Sequence, residues 1–380
     1  MYKCSEARME DKIKTFSKFG DAGHGGITRY SLSDAAISAR NEFIKRMTAI
    51  GAEIVTDDLA NVYATLPGSD PDAKRIVMGS HVDSVKNGGN YDGILGVMSA
   101  MEVLETVAQQ NIPHKHPLTA MIWTNEEGSL YPPAMMCSGI VCYDYLPEDI
   151  RVKFKKEDML KSKSILDGKS TFGEALEKSG FIGDEKNRLS PDKYMYMFET
   201  HIEQGPILED NDKDIGVVDC VLGMFNYRVR FYGQTVHAGT FPMPKRRDAF
   251  YAAAEALCYL HSEIDKLGIS DLVYTTGEVV CHPCVHTCVP DYFDFSFDAR
   301  HESPEALKKV LDIVLSCADK EWQGCRCEVV KAWRRVPFTG TRSWCRMSRK
   351  RLRSFRYRIC TYTLAPVTTR SSLRICSPPR

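Results

Sequence analysis

Short apolar segments alternate with longer amphipathic ones through the first third of the chain, and this alternation most constrains what it can fold into. Residues 31–50 place apolar side chains at helical spacing behind Ser33, a good N-cap residue. Residues 60–66 and 75–79 then read as strands, 93–109 as a helix and 118–123 as a strand. The strand at 75–79 runs into GSHVDSVKNGGNYDG, and the strand at 118–123 into Thr124-Asn125-Glu126-Glu127-Gly128. Strand, polar loop and helix in succession is the α/β pattern, and ligands gather at the carboxyl ends of such strands.

The texture changes after Gly205. Residues 215–221, 227–233, 273–280 and 292–299 read as strands, with helices at 247–267 and 304–322. The order ββαββα describes a small α+β sandwich inserted into the first domain. Residues 1–211 would form the main part of a catalytic domain and 212–328 the insertion. Residues 329–380 would return to the catalytic domain, and 380 residues are enough for two such cores.

The chemistry-bearing residues sit at predicted strand ends or in the loops that follow. His81 offers an imidazole, and Asp83 could orient it through the other ring nitrogen. Asp92 lies beyond a Gly-rich turn that can bring its carboxylate back toward His81. Glu126 and Glu127 are adjacent, and His201 stands among polar residues far downstream. Singly, a His-x-Asp pair is a common surface hydrogen bond and Asn-Glu-Glu-Gly a solvated turn. Together they suit a metal site, because mixed imidazole and carboxylate ligands favour Zn²⁺, Mn²⁺ or a similar ion. One bridging carboxylate would hold two ions roughly 3.5 Å apart, and a neighbouring carboxylate could act as a base.

The patterns GSHVDSVKNGGNYDGILGV, TNEEGS, ETHIEQGP and HAGTFPMPKRRDA resemble those of the M20-type metallo-amidohydrolases. The branch is that of the hydantoinases and carbamoylases: N-carbamoyl-L-amino-acid hydrolases, β-ureidopropionases and allantoate amidohydrolases. ETHIEQGP is the most specific of the patterns. The resemblance implies a zinc-peptidase-like catalytic domain, with a mixed sheet flanked by helices, and an inserted dimerisation or lid domain. It implies two divalent metal ions per subunit, a homodimer and a small ureido or carbamoyl substrate. His81, Asp92 and His201 would bind the first ion, and Asp92, as the bridge, and Glu127 the second. Glu126 would be the general base and Asp83 the orienting partner, while Gln204 would line the substrate pocket. His237 would reach the partner subunit's site and steady the oxyanion. Arg300 would hold the substrate carboxylate as a bidentate donor. The implied reaction is hydrolysis of an N-carbamoyl-L-amino acid to ammonia and carbon dioxide, with allantoate as the alternative substrate.

The chain departs from the pattern in two places. Where the family has a substrate-binding Asn thirteen residues before the Arg, this chain has Thr287, which is shorter and lacks the amide. The same stretch holds Cys281, His282, Cys284, His286 and Cys288, whose spacing suits a loop with incidental thiols better than a zinc knuckle.

The second departure is the missing C-terminal histidine of a SGAGHDA element, the family's last ligand to the second ion; the last histidine here is His301. From Thr339 onward the chain has ten Arg, one Lys and no acidic residue. Residues 364–370 can be encoded so that skipping two bases yields Gly-Ala-Gly-His-Asp-Ala. We therefore read the tail from about residue 339 as out of frame, leaving the second ion site impaired and the translated chain an inactive homologue. Without apolar periodicity, the tail is expected to supply neither the final helix nor the final strand.

Composition excludes other classes. Without the eleven basic tail residues the chain carries 39 basic and 50 acidic residues, so its body has no basic footprint for nucleic acid. No apolar run suits a membrane span, the charged start does not resemble a secretory signal, and fourteen cysteines without framework spacing fit a cytoplasmic setting.

Overall fold

The structure is a computed structural model that describes residues 3–339, 359–364 and 372–376. The chain divides into two compact units, one holding residues up to Val218 together with 372–376, the other running from 219 to 339.

In the first unit, strands β1 (Glu53–Thr56), β2 (Val62–Leu66), β3 (Arg75–His81), β4 (Leu118–Trp123) and β5 (Tyr194–His201) lie in the order β1-β2-β4-β3-β5. β3 is parallel to both β4 and β5, whereas β1 and β2, and β2 and β4, pair antiparallel, so the sheet is mixed. Successive side chains of a strand point to opposite faces, and both faces here are covered. Ala64, Ala120 and Ile122 join a core with Ala39, Phe43 and Met47 of helix α2 (Asp34–Ala49) and Val97, Met101 and Leu104 of helix α3 (Ile94–Gln109). Tyr63, Val77, Met121 and Trp123 pack together as a separate cluster. The continuous burial of β2 and β4 follows from this double cover. Ser33 caps α2 as the sequence indicates, its side chain accepting the Ala36 N–H.

β3 runs two residues further than its apolar content implies, which carries His81 onto the last position of the strand. Helix α1 (Glu6–Phe16) is tied to α3 by charge. Lys12 Nζ lies 2.8 Å from Glu102 and 2.5 Å from Glu105, and Arg8 lies 2.6 Å from Glu102.

β6 (Ile215–Val221) leads toward the second unit. There β7 (Gly223–Tyr232), β8 (Val273–Thr275), β9 (Val279–His282), β10 (Tyr292–His301) and β11 (Arg326–Arg335) form an antiparallel sheet in the order β11-β7-β10, with β8 and β9 both along the free edge of β10. Helices Ala249–Asp265 and Pro304–Leu315 supply Ala252, Ala256, Leu260, Val310 and Val314 to a core with Val229, Phe231, Phe295 and Phe297. The expected strand at 273–280 is two strands, because the chain leaves the ladder around Gly277 before Glu278 bonds Ser296 through both its N–H and its carbonyl. The expected first strand of the ββαββα order, 215–221, is β6, which belongs to the other sheet, while β11 adds a strand beside β7.

The tail corrects one expectation. Two strands, Ile359–Leu364 and Ser372–Cys376, lie within it, and the second pairs antiparallel with β5. Ladder bonds come from the backbone, so the edge of β5 can recruit a segment that lacks apolar periodicity. The hidden Gly-Ala-Gly-His-Asp-Ala reading falls on 364–370, of which 365–370 lie outside the described residues. No helix among the described residues is long and apolar enough to cross a membrane.

Candidate metal centre

The parallel strands β3, β4 and β5 end side by side, and their carboxyl ends supply most of the site. His81 closes β3 and His201 closes β5, with ring centroids 6.0 Å apart. Each imidazole is oriented the same way. The Nδ1 of His81 lies 2.9 Å from the Asp83 carbonyl oxygen, and that of His201 2.9 Å from the Ile202 carbonyl oxygen. Carbonyl acceptors put a proton on Nδ1 and turn Nε2 toward the cluster, as a ligating histidine requires. His201 Nε2 lies 3.2 Å and His81 Nε2 4.0 Å from the Asp92 carboxylate.

Asp92 arrives from the loop before α3, and two glycines allow it to come so close. Gly96, on the first turn of α3, packs against Ser80 of β3 and Thr200 of β5, leaving no room for a Cβ. Gly93 takes a φ of 63°, and a Cβ there would run into the His81 ring. Gln204, also at positive φ, donates its side-chain amide to the second oxygen of Asp92.

His81, Asp92 and His201 present ligand atoms that all lie within 4.8 Å of one another, the sole such set of three among the described residues. Two imidazoles and a carboxylate with converging lone pairs fit a divalent ion of the zinc or manganese kind. Glu127, the fourth expected ligand, falls outside this compact set; Glu126, cast as the base, comes nearest, with its carboxylate 3.5 Å from His81 Nε2. Asp83 keeps a carboxylate oxygen 3.8 Å from His81 Nδ1, and its backbone carbonyl lies closer, at 2.9 Å. Its carboxylate also accepts the backbone N–H groups of Glu126 at 3.4 Å and Glu127 at 3.1 Å. The side chain thus fixes the loop that carries both glutamates.

The charges of the site show how strongly these groups interact. Burial alone would lower the His81 pKa, but Glu126, Asp83, Glu127 and Asp92 together raise it to about 9. Burial pushes the Glu127 carboxyl up to about 7; His81 opposes this, and Glu126, Asp92 and Asp83 add to it. Burial also acts to raise the Asp92 pKa, and the contacts with His201, His81 and Gln204 outweigh it, leaving Asp92 below the usual carboxylate range.

Residues 61–138 match the family model of peptidase family M28, and residues 222–324 that of a peptidase dimerisation domain. An N-carbamoyl-L-amino-acid amidohydrolase from Rhizobium meliloti is 33% identical over 301 residues, which cover 79% of this chain and 68% of that protein. An allantoate amidohydrolase from Escherichia coli is 32% identical over 302 residues, covering 79% and 70%. The crystal structure of a hydantoinase/carbamoylase family amidase from Burkholderia multivorans superposes with a TM-score of 0.81 at 29% identity, covering 98% of this chain and 90% of that one. The chain belongs to the hydantoinase/carbamoylase family of amidohydrolases.

Three further residues singled out in the sequence of this family member lie in its second unit. His237 is exposed, its Nδ1 accepts the Gly239 N–H at 3.0 Å, and its backbone bridges Cys288. Thr287 is its neighbour, with a carbonyl that accepts the Ala238 N–H at 2.9 Å. Arg300 is the ninth residue of β10, and its Nε donates to Asp298 at 2.7 Å. From Tyr292 to Arg300 an extended strand covers roughly 25 Å. Arg300 thus stands near the far end of β10 from the loop that holds Thr287 and bonds the His237 segment.

Sequence reading of this amidohydrolase missed a supporting layer. Glu199 accepts the Ser80 hydroxyl at 2.6 Å, bracing β5 against β3. Glu203, 1% exposed, accepts the N–H groups of Ile207 at 3.0 Å and Leu208 at 3.1 Å, fixing the chain beyond His201. Arg29 and Arg40 are buried, and desolvation pulls both guanidiniums down to about 10, while the nearby Asp83 charge works against it. A signal for Arg40 existed: it shares the apolar stripe of α2 with Ala36, Ala39, Phe43 and Met47.

Proposed function

We propose that the chain is built to hydrolyse the carbamoyl C–N bond of N-carbamoyl-L-amino acids with the help of two divalent ions, Zn²⁺ or Mn²⁺. The convergence of His81, Asp92 and His201, with Glu126 beside them, carries this reading. His81, Asp92 and His201 would hold the first ion, and Asp92 and Glu127 the second. When bound, such ions polarise a carbonyl and make water more acidic.

The protein's own groups divide the remaining work. Glu126, with its side chain 31% exposed, is reachable by solvent and substrate, so it can take the proton of the attacking water and pass it to the leaving nitrogen. Gln204 steadies the Asp92 carboxylate and would line the substrate pocket. Attack at the carbamoyl carbon breaks its bond to the amino-acid nitrogen, and the carbamate set free decomposes to ammonia and carbon dioxide. Arg300 would pair with the substrate carboxylate, and Thr287 would contribute to substrate binding where the family has Asn. The distance along β10 favours a homodimer in which Arg300 serves one site while His237 and Thr287 reach the partner's. The match of residues 222–324 to a dimerisation domain supports the same arrangement.

Allantoate is the second substrate reading, because the allantoate amidohydrolase relative is 32% identical against 33% for the carbamoylase. A third reading is that the chain as translated is inactive, its tail being out of frame and its second ion site a ligand short. Cys137, Cys281, Cys284, Cys317 and Cys325 are free thiols, which supports a cytoplasmic setting.

Ammonia release on a panel of N-carbamoyl-L-amino acids and allantoate tests the reading, run on this chain and on one with the frame restored across the codons for 337–343. The restored chain should release ammonia from a carbamoyl amino acid, and Glu126→Gln should abolish release while metal content stays unchanged. Release by Glu126→Gln at the parent rate would overturn the role given to this residue. No release from any carbamoyl or ureido compound by metal-loaded restored chain would overturn the function.

A further inference from the structure

The second unit contains a pair of thiols that the proposed hydrolysis leaves unused. Cys281, His282, Pro283 and Cys284 lie where β9 ends and the loop toward β10 begins. Cys284 adopts a φ of 55° on the turn that follows β9, which turns its backbone N–H and its thiol toward the Cys281 sulfur. Both thiols are free; Cys281 is partly buried against the core of the second unit and Cys284 is exposed. Neither belongs to a three-ligand metal cluster, since His81, Asp92 and His201 are the sole such group among the described residues. The His282 ring is engaged elsewhere, with Nδ1 2.8 Å from Asp291.

We propose that Cys281 and Cys284 form a reversible dithiol–disulfide site whose co-substrate is a low-molecular-weight disulfide of the glutathione class. The exposed Cys284 meets the oxidant first. Its thiolate attacks one sulfur of the small disulfide, forming a mixed disulfide and expelling one small thiol. Cys281 then attacks the Cys284 sulfur and expels the second. Two protein thiols are oxidised, one small disulfide is reduced to two thiols, and the two protein protons leave on those products. Burial pushes the Cys281 thiol up, which leaves the exposed Cys284 as the first attacking sulfur.

The site also occupies a position that matters for the loop. Four residues beyond Cys284, Cys288 bridges His237, and Thr287 holds the Ala238 N–H. Closing the ring between Cys281 and Cys284 fastens the start of the segment that carries these contacts. This site does not depend on the chain being catalytically competent.

The full chain, reduced and freed of reductant, is incubated with oxidised glutathione, quenched with an alkylating reagent and mapped by peptide mass spectrometry. The expected product is a Cys281–Cys284 disulfide that dithiothreitol reverses, and Cys288→Ser should form it equally. Cys281→Ser should stop at a lasting glutathione adduct on Cys284, and Cys284→Ser should oxidise at Cys281 at least tenfold more slowly. Circular dichroism on each variant separates misfolding from chemistry. A persistent adduct on wild-type Cys284, or a disulfide using Cys288 instead, would overturn the proposal. So would protection of all three thiols by one equivalent of Zn²⁺, which would make the loop a metal knuckle.

Discussion

Replacing Gly93 with alanine should disrupt the metal centre without replacing a ligand. The residue sits at a φ of 63°, where a side chain costs about 1–2 kcal/mol. Its new Cβ would overlap the Cε1, Nε2 and Cδ2 atoms of His81, far inside the roughly 3.5 Å of normal carbon contact. His81 has little room to yield, because it is 2% exposed and its Nδ1 is held by the Asp83 carbonyl at 2.9 Å. Overpacking of this kind adds about 1–3 kcal/mol, so the total loss of stability should be about 2–5 kcal/mol. Displacing the imidazole should also weaken metal binding by about 10–100-fold, the range seen when a ligand loses its support. The assay pairs Zn²⁺ titration of the chelator-stripped protein with urea unfolding. Gly89→Ala serves as control: no heavy atom lies within 4 Å of a Cβ built there, and its stability should change by less than about 0.5 kcal/mol. A Gly93→Ala protein that binds Zn²⁺ as tightly as wild type would refute the reasoning.

Other outcomes follow from the same geometry. His201→Ala should reduce tightly bound metal to a small fraction of the wild-type content, read by elemental analysis after dialysis. Burial acts to raise the Glu102 pKa, but Arg8 and Lys12 outweigh it and hold the carboxyl at about 2, against an ordinary value of 4.5. Glu102 therefore contributes about 3 kcal/mol above pH ~4.5, and this is lost as the pH falls toward ~2. Glu102→Gln should accordingly be less stable than wild type at pH 7, with the gap narrowing over that window in urea titrations. Glu203→Gln should cost about 1–2 kcal/mol, since a buried carboxylate holding two backbone N–H groups becomes a neutral amide. The frame-restored chain should retain two ions and this chain one, measured side by side; equal content would remove the case for an out-of-frame tail.

The fold was legible wherever burial and period coincide. β4 and β6 lie where their apolar runs place them, and Ser33 starts α2 as its side-chain chemistry indicates. β1 and β5 escaped because neither shows a clear burial pattern: Glu53–Thr56 is mostly half-buried, and Tyr194–His201 is half-buried until its last residue. β11 was hidden for the same reason, its ten residues being half-buried or exposed without a regular period. In the site, the residue types were readable but their partners were not. Nothing local says that Asp83 would hold the glutamate loop by its carboxylate and His81 by its carbonyl. Likewise, the bracing of β5 by Glu199 and Ser80 joins residues far apart in sequence, which only the parallel pairing of β3 with β5 brings together.

The location of the bound ion tests the central claim most directly. Crystals of the chain grown with Zn²⁺, measured on both sides of the zinc absorption edge, report ion positions independently of any activity. The strongest anomalous peak should lie within about 2.0–2.2 Å of His81 Nε2, His201 Nε2 and an Asp92 oxygen. A second peak between Asp92 and Glu127 should be weaker in this chain than in the frame-restored one. A saturating Zn²⁺ soak that leaves the His81–Asp92–His201 cluster without a peak, or places the main peak on the loop at Cys281–His286, would contradict the account.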